Sequence, residues 1–119
     1  MGGTMRSKGT YGESLAKQFL IESGFTIVKQ NIFTRYGELD IIAQKGNRIH
    51  IIEVKLLKKE WLNSGYKINR TKRKRMVNCT TIFMDRYKLR NAFYQFDLIT
   101  IVGNQIKHIE NIFSLNDVY

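Results

Sequence analysis

Two carboxylates, Asp40 and Glu53, flank Gly46-Asn47, a dipeptide suited to a two-residue hairpin turn. Such a turn sets Lys45 against Arg48 and, by continuation, Asp40 against Glu53 and Glu38 against Lys55. The two-residue period of a strand then places all four side chains on one face. Directly opposed Cβ atoms lie roughly 4.5–5.5 Å apart, where like charges repel. A cation between the two carboxylates removes that cost, so the pair reads as a metal site. Mg²⁺ takes one or two carboxylates together with waters and substrate phosphate oxygens. Asp40 and Glu53 would supply the carboxylates, and the backbone carbonyl of Val54 a third protein oxygen. Lys55 would orient or help deprotonate a water, or stabilise charge developing on phosphorus. With Mg²⁺ or Mn²⁺ these are the parts of metal-assisted phosphodiester hydrolysis. A plain cross-strand salt-bridge ladder is the competing reading. It suits Glu38 with Lys55 and does not suit Asp40 opposite Glu53.

Positioning these residues requires a hairpin, and the chain supplies one. Strands are expected at about 38–45 and 48–56, with Leu39, Ile41, Ala43, Ile52 and Val54 as the apolar face. A strand over 25–32 should precede them, and before it a helix starting at Thr10. There Thr10-Tyr11-Gly12-Glu13 has capping-box spacing and Gly24 suits the C-terminal stop. Residues 57–69 read as a loop. A second helix is expected from about Arg70 to Lys88, with Met76, Cys79, Thr80, Phe83 and Tyr87 at helical spacing. Strands at 93–102 and 105–110 follow, joined at Gly103-Asn104. This order predicts an α/β sandwich with a mixed central sheet.

At 119 residues the chain suits one domain, with residues 1–9 as a flexible basic lead-in. No apolar run approaches the ~20 residues of a membrane span. The N-terminus lacks a signal-peptide stretch, and Arg6 stands where myristoylation needs Ser or Thr. One cysteine, Cys79, excludes an internal disulfide framework and fits a reducing cytoplasm. It is expected as core filler. The formal net charge of +10 favours a polyanionic partner over a membrane surface.

Much of that charge falls at the start of the second helix, in Lys67, Arg70, Lys72, Arg73, Lys74 and Arg75. Cations there oppose the helix dipole, so phosphate binding is the physical rationale, with a solvated face as the alternative. Lys72 is the member expected near the site. Trp61 and Tyr66, in the preceding loop, are candidates for stacking on exposed bases. His50 and His108 are too isolated in sequence to suggest zinc, and Asp97 is expected to make a structural hydrogen bond.

Asn31 followed by Gly37-Glu38-Leu39-Asp40-Ile41-Ile42, then Ile52-Glu53-Val54-Lys55, resembles the YraN-like family of the PD-(D/E)XK nuclease superfamily. Gly9, Gly12, Glu13 and Ala16 resemble its N-terminal helix, and Thr71 to Met76 its basic helix start. Phe96-Asp97-Leu98 and His108 to Phe113 resemble its C-terminal strands. The resemblance implies a restriction-endonuclease-like αβββαβ core, metal ligation by Asp40 and Glu53, and a catalytic role for Lys55. Glu13 matches a helix glutamate that joins the active site in related archaeal junction resolvases, although a capping box explains it equally well. Glu38 is expected to pair with Lys55 rather than to bind metal. Two departures stand out: Leu56-Leu57 replaces the usual Thr-Arg, and Gln95 the usual arginine. Both bear on substrate affinity more than on chemistry.

The expectation is a cytoplasmic Mg²⁺- or Mn²⁺-dependent endonuclease acting on DNA, with branched DNA as one substrate class and a homodimer as one assembly. The alternatives are a non-catalytic nucleic-acid-binding module of the same fold, and a basic structural protein of the ribosome.

Overall fold

The computed structural model describes residues 4–58, 67–89 and 92–118. Its elements are α1 (Thr4–Glu22), β1 (Thr26–Thr34), β2 (Gly37–Lys45), β3 (Arg48–Leu56), α2 (Arg70–Arg86), β4 (Phe93–Val102) and β5 (Gln105–Phe113). A short 3₁₀ turn, Leu115–Asp117, follows. The five strands form one sheet in sequential order. All neighbours are antiparallel except β3 and β4, which are parallel and are connected through α2. The architecture is therefore α/β with a mixed sheet, compatible with a restriction-endonuclease-like core. Among the described residues, no helix is long and apolar enough to cross a membrane.

Alternating strand residues feed two apolar layers. Ile41, Ala43, Ile52, Ile99 and Ile101 pack with Ala16 and Leu20 of α1. On the other side Ile42, Ile49, Ile51, Phe96 and Leu98 pack with Met76, Cys79 and Phe83 of α2. Cys79 is buried as core filler, its Sγ 3.0 Å from Thr34 Oγ1. Helix α1 stops where Gly24 takes φ 93°, and the Phe25 amide reaches back to the Leu20 carbonyl. Helix α2 starts at Asn69, whose Oδ1 accepts from the Lys72 amide at 2.8 Å.

Three expectations change. Helix α1 begins at Thr4, so it takes in most of the residues read as a lead-in. Thr10 then lies inside the helix and cannot cap it; no proline interrupts the segment. Strand β5 continues to Phe113 instead of ending near residue 110. Leu39 leaves the α1 layer: it packs with the α2-side cluster, whereas Ile41 and Ala43 face α1. The two-residue alternation thus breaks at Asp40. Asn31, held at φ 51°, stands opposite it in β1, between the pairs Gln30–Ile41 and Ile32–Leu39.

Candidate active site

The β2–β3 hairpin keeps the register set by its two-residue turn, from Lys45–Arg48 to Ile41–Ile52. Beyond Ile41 the regular pairing ends, and a side chain takes over its hydrogen bonding. Asp40 Oδ2 accepts from the Val54 amide at 2.9 Å. That fork between β2 and β3, under the middle of α1 and the N-terminal turn of α2, holds a cleft of about 250 Å³. Gly12 and Glu13 of α1, Asp40, Glu53, Val54, Lys55 and Leu56 of the hairpin, and Lys72 of α2 line it. Gly12 brings α1 close: a Cβ there would already touch Val54, Ile101 and Leu56 at 3.9–4.0 Å.

Carboxylates crowd this cleft. One oxygen from each of Glu13, Glu38 and Asp40 lies within 4.8 Å of the others. Glu53 is nearly buried, and its carboxyl lies close enough to that of Asp40 for the two to interact strongly. Burial first, and then Asp40, push the Glu53 pKa well above the usual carboxylate range, despite the Lys72 ammonium 3.0 Å away. Glu13 is pushed up to about 7 by burial, Asp40 and Glu38, against a hydrogen bond from Asn31 that lowers it. Glu38 is raised for the same reasons, burial before Asp40, with Lys72 opposing.

The structure thus assembles Glu13, Asp40, Glu53, the Val54 backbone, Lys55 and Lys72 around one cleft. Glu38 groups with Glu13 and Asp40. Glu13 lines the cleft and is not part of a cap, since the helix starts well before it. In sequence Asn31 is only the first residue of a motif; its positive φ and its bond to Glu13 make it part of the site's frame. An asparagine ahead of a Gly-Glu-Leu-Asp strand is a weak signal, because the left-handed conformation is what gives it meaning.

The basic run divides. Arg73 Nε donates to the Ile68 carbonyl at 2.7 Å and its guanidinium lies over the Phe113 ring. Arg70 reaches the Val118 carbonyl at 3.4 Å. These two tie α2 to the C-terminal segment. Lys74 and Arg75 are exposed, and the Arg75 side chain passes beside Gly37 at the start of β2. Trp61 and Tyr66 lie outside the described residues.

The isolation of the histidines does not survive folding. His50 Nδ1 and His108 Nε2 converge on Asp97 Oδ2 at 2.7 and 2.8 Å. Parallel pairing of β3 with β4, and a register shift in β4–β5 between Phe96 and Leu98, bring the three strands' residues together. Neither feature is visible in sequence spacing. The structural hydrogen bonding expected of Asp97 is found, in larger number: its Oδ1 also accepts from Gln95 Nε2 and the Asn111 amide, both at 2.9 Å.

Residues 12–101 match the family described as "Uncharacterised protein family UPF0102". The chain belongs to that family. It is the YraN-like family that the motifs resemble. A UPF0102 protein of Helicobacter hepaticus is 40% identical over 107 residues, covering 90% of this chain and 94% of its own. A UPF0102 protein of Nitratiruptor is 38% identical over 107 residues, covering 87% and 90%. One from Campylobacter fetus is 33% identical over 104 residues, covering 87% and 91%. The UPF0102 match begins at Gly12 and so takes in Glu13, Asp40, Glu53, Lys55 and Lys72, the residues that build the cleft.

Proposed function

We propose that this chain is a divalent-metal-dependent endonuclease acting on DNA. The observation that carries the reading is the convergence of Glu13, Glu38, Asp40 and Glu53 on one cleft that also presents Lys55 and Lys72. An all-oxygen donor set, partly buried and stressed by its own charge, fits a hard cation such as Mg²⁺ or Mn²⁺. Asp40 and Glu53, with the Val54 carbonyl, are the residues to hold it. Once bound, such an ion supplies Lewis acidity toward a phosphoryl oxygen and lowers the pKa of a water. Lys55, on the same strand as Glu53, is placed to orient that water or to face the charge developing on phosphorus. Glu13, pushed up to about 7, is suited to accept or relay a proton near neutrality. Lys72 opposes the negative charge of Glu53, and Lys74 and Arg75 extend the cationic surface toward a backbone phosphate.

A second reading, a nucleic-acid-binding module without turnover, draws on Leu56. This residue is 41% exposed at the cleft wall, where the family resemblance expects a polar residue. The discriminating experiment is cleavage of single-stranded, duplex, flap and four-way-junction DNA with Mg²⁺ or Mn²⁺, beside Asp40→Ala and Lys55→Ala. Loss of cutting in both variants supports the nuclease. Tight, salt-sensitive binding with no turnover on any substrate supports the module. Cutting that neither substitution reduces removes the assignment of the site.

A further inference from the structure

We propose that His50, Asp97, His108 and Glu110 form a second metal site, selective for a borderline-soft ion such as Zn²⁺, toward the β5 edge of the sheet and apart from the acidic cleft. One ligand atom from each of His50, Asp97 and His108 lies within 4.8 Å of the others. Both imidazoles point at the same oxygen, Asp97 Oδ2, at 2.7 and 2.8 Å. A fourth donor is already close: Glu110 Oε1 stands 3.7 Å from His50 Nδ1. Two imidazole nitrogens and two carboxylate oxygens make the donor set of a four-coordinate zinc site, with bonds of about 2.0–2.2 Å. Donors around such an ion sit roughly 3.3 Å apart. The present separations therefore need a shift of about half an ångström outward at the histidine–aspartate contacts and inward at Glu110.

The surroundings are built to hold this geometry. Asp97 is fully buried, and its other oxygen is fixed by Gln95 Nε2 and the Asn111 amide at 2.9 Å each. That leaves Oδ2 aimed at the histidines, as outer partners orient a ligating carboxylate. Phe25 packs edge-on to His50 and tilted against His108, walling the site on the α1 side. His108 and Glu110 lie on the edge strand β5, and Glu110 is more than half exposed, so an ion can enter there. Binding through these nitrogens needs each neutral imidazole to carry its proton on the other ring nitrogen, so no net proton has to leave. The ion would clamp β3, β4 and β5 together. Imidazole ligation separates this site from the oxygen-only cleft, which suits Mg²⁺.

The chain has only these two histidines, so the test is clean. Tag-free protein is titrated with Zn²⁺ against a chromogenic chelator, and with Co²⁺ while visible absorption is recorded. With excess Mg²⁺ present to compete at the oxygen-only cleft, one tightly held Zn²⁺ per chain, a tetrahedral Co²⁺ spectrum and a Zn²⁺-dependent rise in Tm are expected. His108→Gln and Glu110→Gln should each weaken Zn²⁺ binding at least tenfold, whereas Asp40→Asn should leave it unchanged. His108→Gln keeps a polar group on Asp97, and its circular dichroism confirms the fold. No Zn²⁺ uptake, or uptake lost on Asp40→Asn and kept by His108→Gln, would overturn the proposal without touching the nuclease reading.

Discussion

Asp40 and Asp97 lie on the two inner strands that neighbour the sheet's edges, each beside an edge-strand asparagine held at positive φ, Asn31 in β1 and Asn111 in β5. Their backbone settings are alike and their electrostatics are opposite. Around Asp97 every contact is a donor. Burial alone would raise its pKa, but hydrogen bonds from His108, His50, the Asn111 amide and Gln95 outweigh it and hold the carboxyl far below its usual range. Around Asp40 the neighbours are acids, and Glu53 and Glu13 are raised instead. One centre is satisfied by the fold. The other keeps several carboxylates together around the Lys72 ammonium, and burial, then like charges held in one cleft, raise its acids.

Removing each aspartate in turn should separate chemistry from stability. Asp40→Ala is expected to lower DNA cleavage on the order of 10³-fold, the scale of losing a group that supports transition-state charge. Its Tm without metal should change little, because relief of the repulsion on Glu53 and Glu13 offsets the loss of the acceptor for the Val54 amide. Single-turnover rates beside a thermal melt check both halves. A melt that collapses while activity survives would break the comparison.

Asp97→Ala should do the reverse. It strands two imidazole N–H groups and the Asn111 amide around a buried void. The expected loss is about 3–5 kcal/mol of folding stability, as for removing one partner of a buried charged network. Denaturant unfolding measures it. Cleavage per folded molecule should change by less than about threefold, since a structural change outside the cleft adds little to its barrier.

The hairpin was legible because a two-residue turn fixes register, and the observed pairs Lys45–Arg48 through Ile41–Ile52 follow it. Asp40 and Glu53 still come together, but just beyond the last regular pair. Local signals also placed α2 and all five strands within a few residues. Long-range events were not legible. The break at Asp40 depends on the conformation of Asn31, the His50–Asp97–His108 contact on pairing among β3, β4 and β5, and the tethering of Arg73 on where Phe113 ends up. None of these leaves a period or a spacing in the chain.

The pH dependence of stability should carry both signs at once. Glu13, at about 7, and Glu53, also raised, bind protons more tightly folded than unfolded. Their contribution is present below the ordinary value near 4.5 and is lost as pH rises through the folded values, so the metal-free Tm should fall between about pH 5 and 8. Asp97 is lowered from 3.8, so its contribution is present above that value and is lost only as the solution becomes more acid. Asp40→Asn or added Mg²⁺ should flatten the neutral limb and leave the acid limb. Melts across pH, with and without the ion, test this; a neutral limb unchanged by Asp40→Asn would place the raised groups elsewhere.

The smallest effect concerns the basic run, where charge is again either committed to the fold or left facing outward. Lys74 and Arg75 are exposed, whereas Arg73 is bonded to the Ile68 carbonyl and lies over Phe113. If the exposed pair meets DNA phosphates, Lys74→Ala with Arg75→Ala should reduce the slope of log K against log salt by about 0.9 for each phosphate no longer neutralised. Affinity should fall near tenfold at moderate salt, equally for every sequence, with Tm unmoved. Arg73→Ala should leave the slope alone and lower Tm, because its guanidinium holds α2 to the end of β5. A wild-type slope in both variants would mean that neither group of cations reaches the backbone, and the polyanion must then approach the cleft from another side.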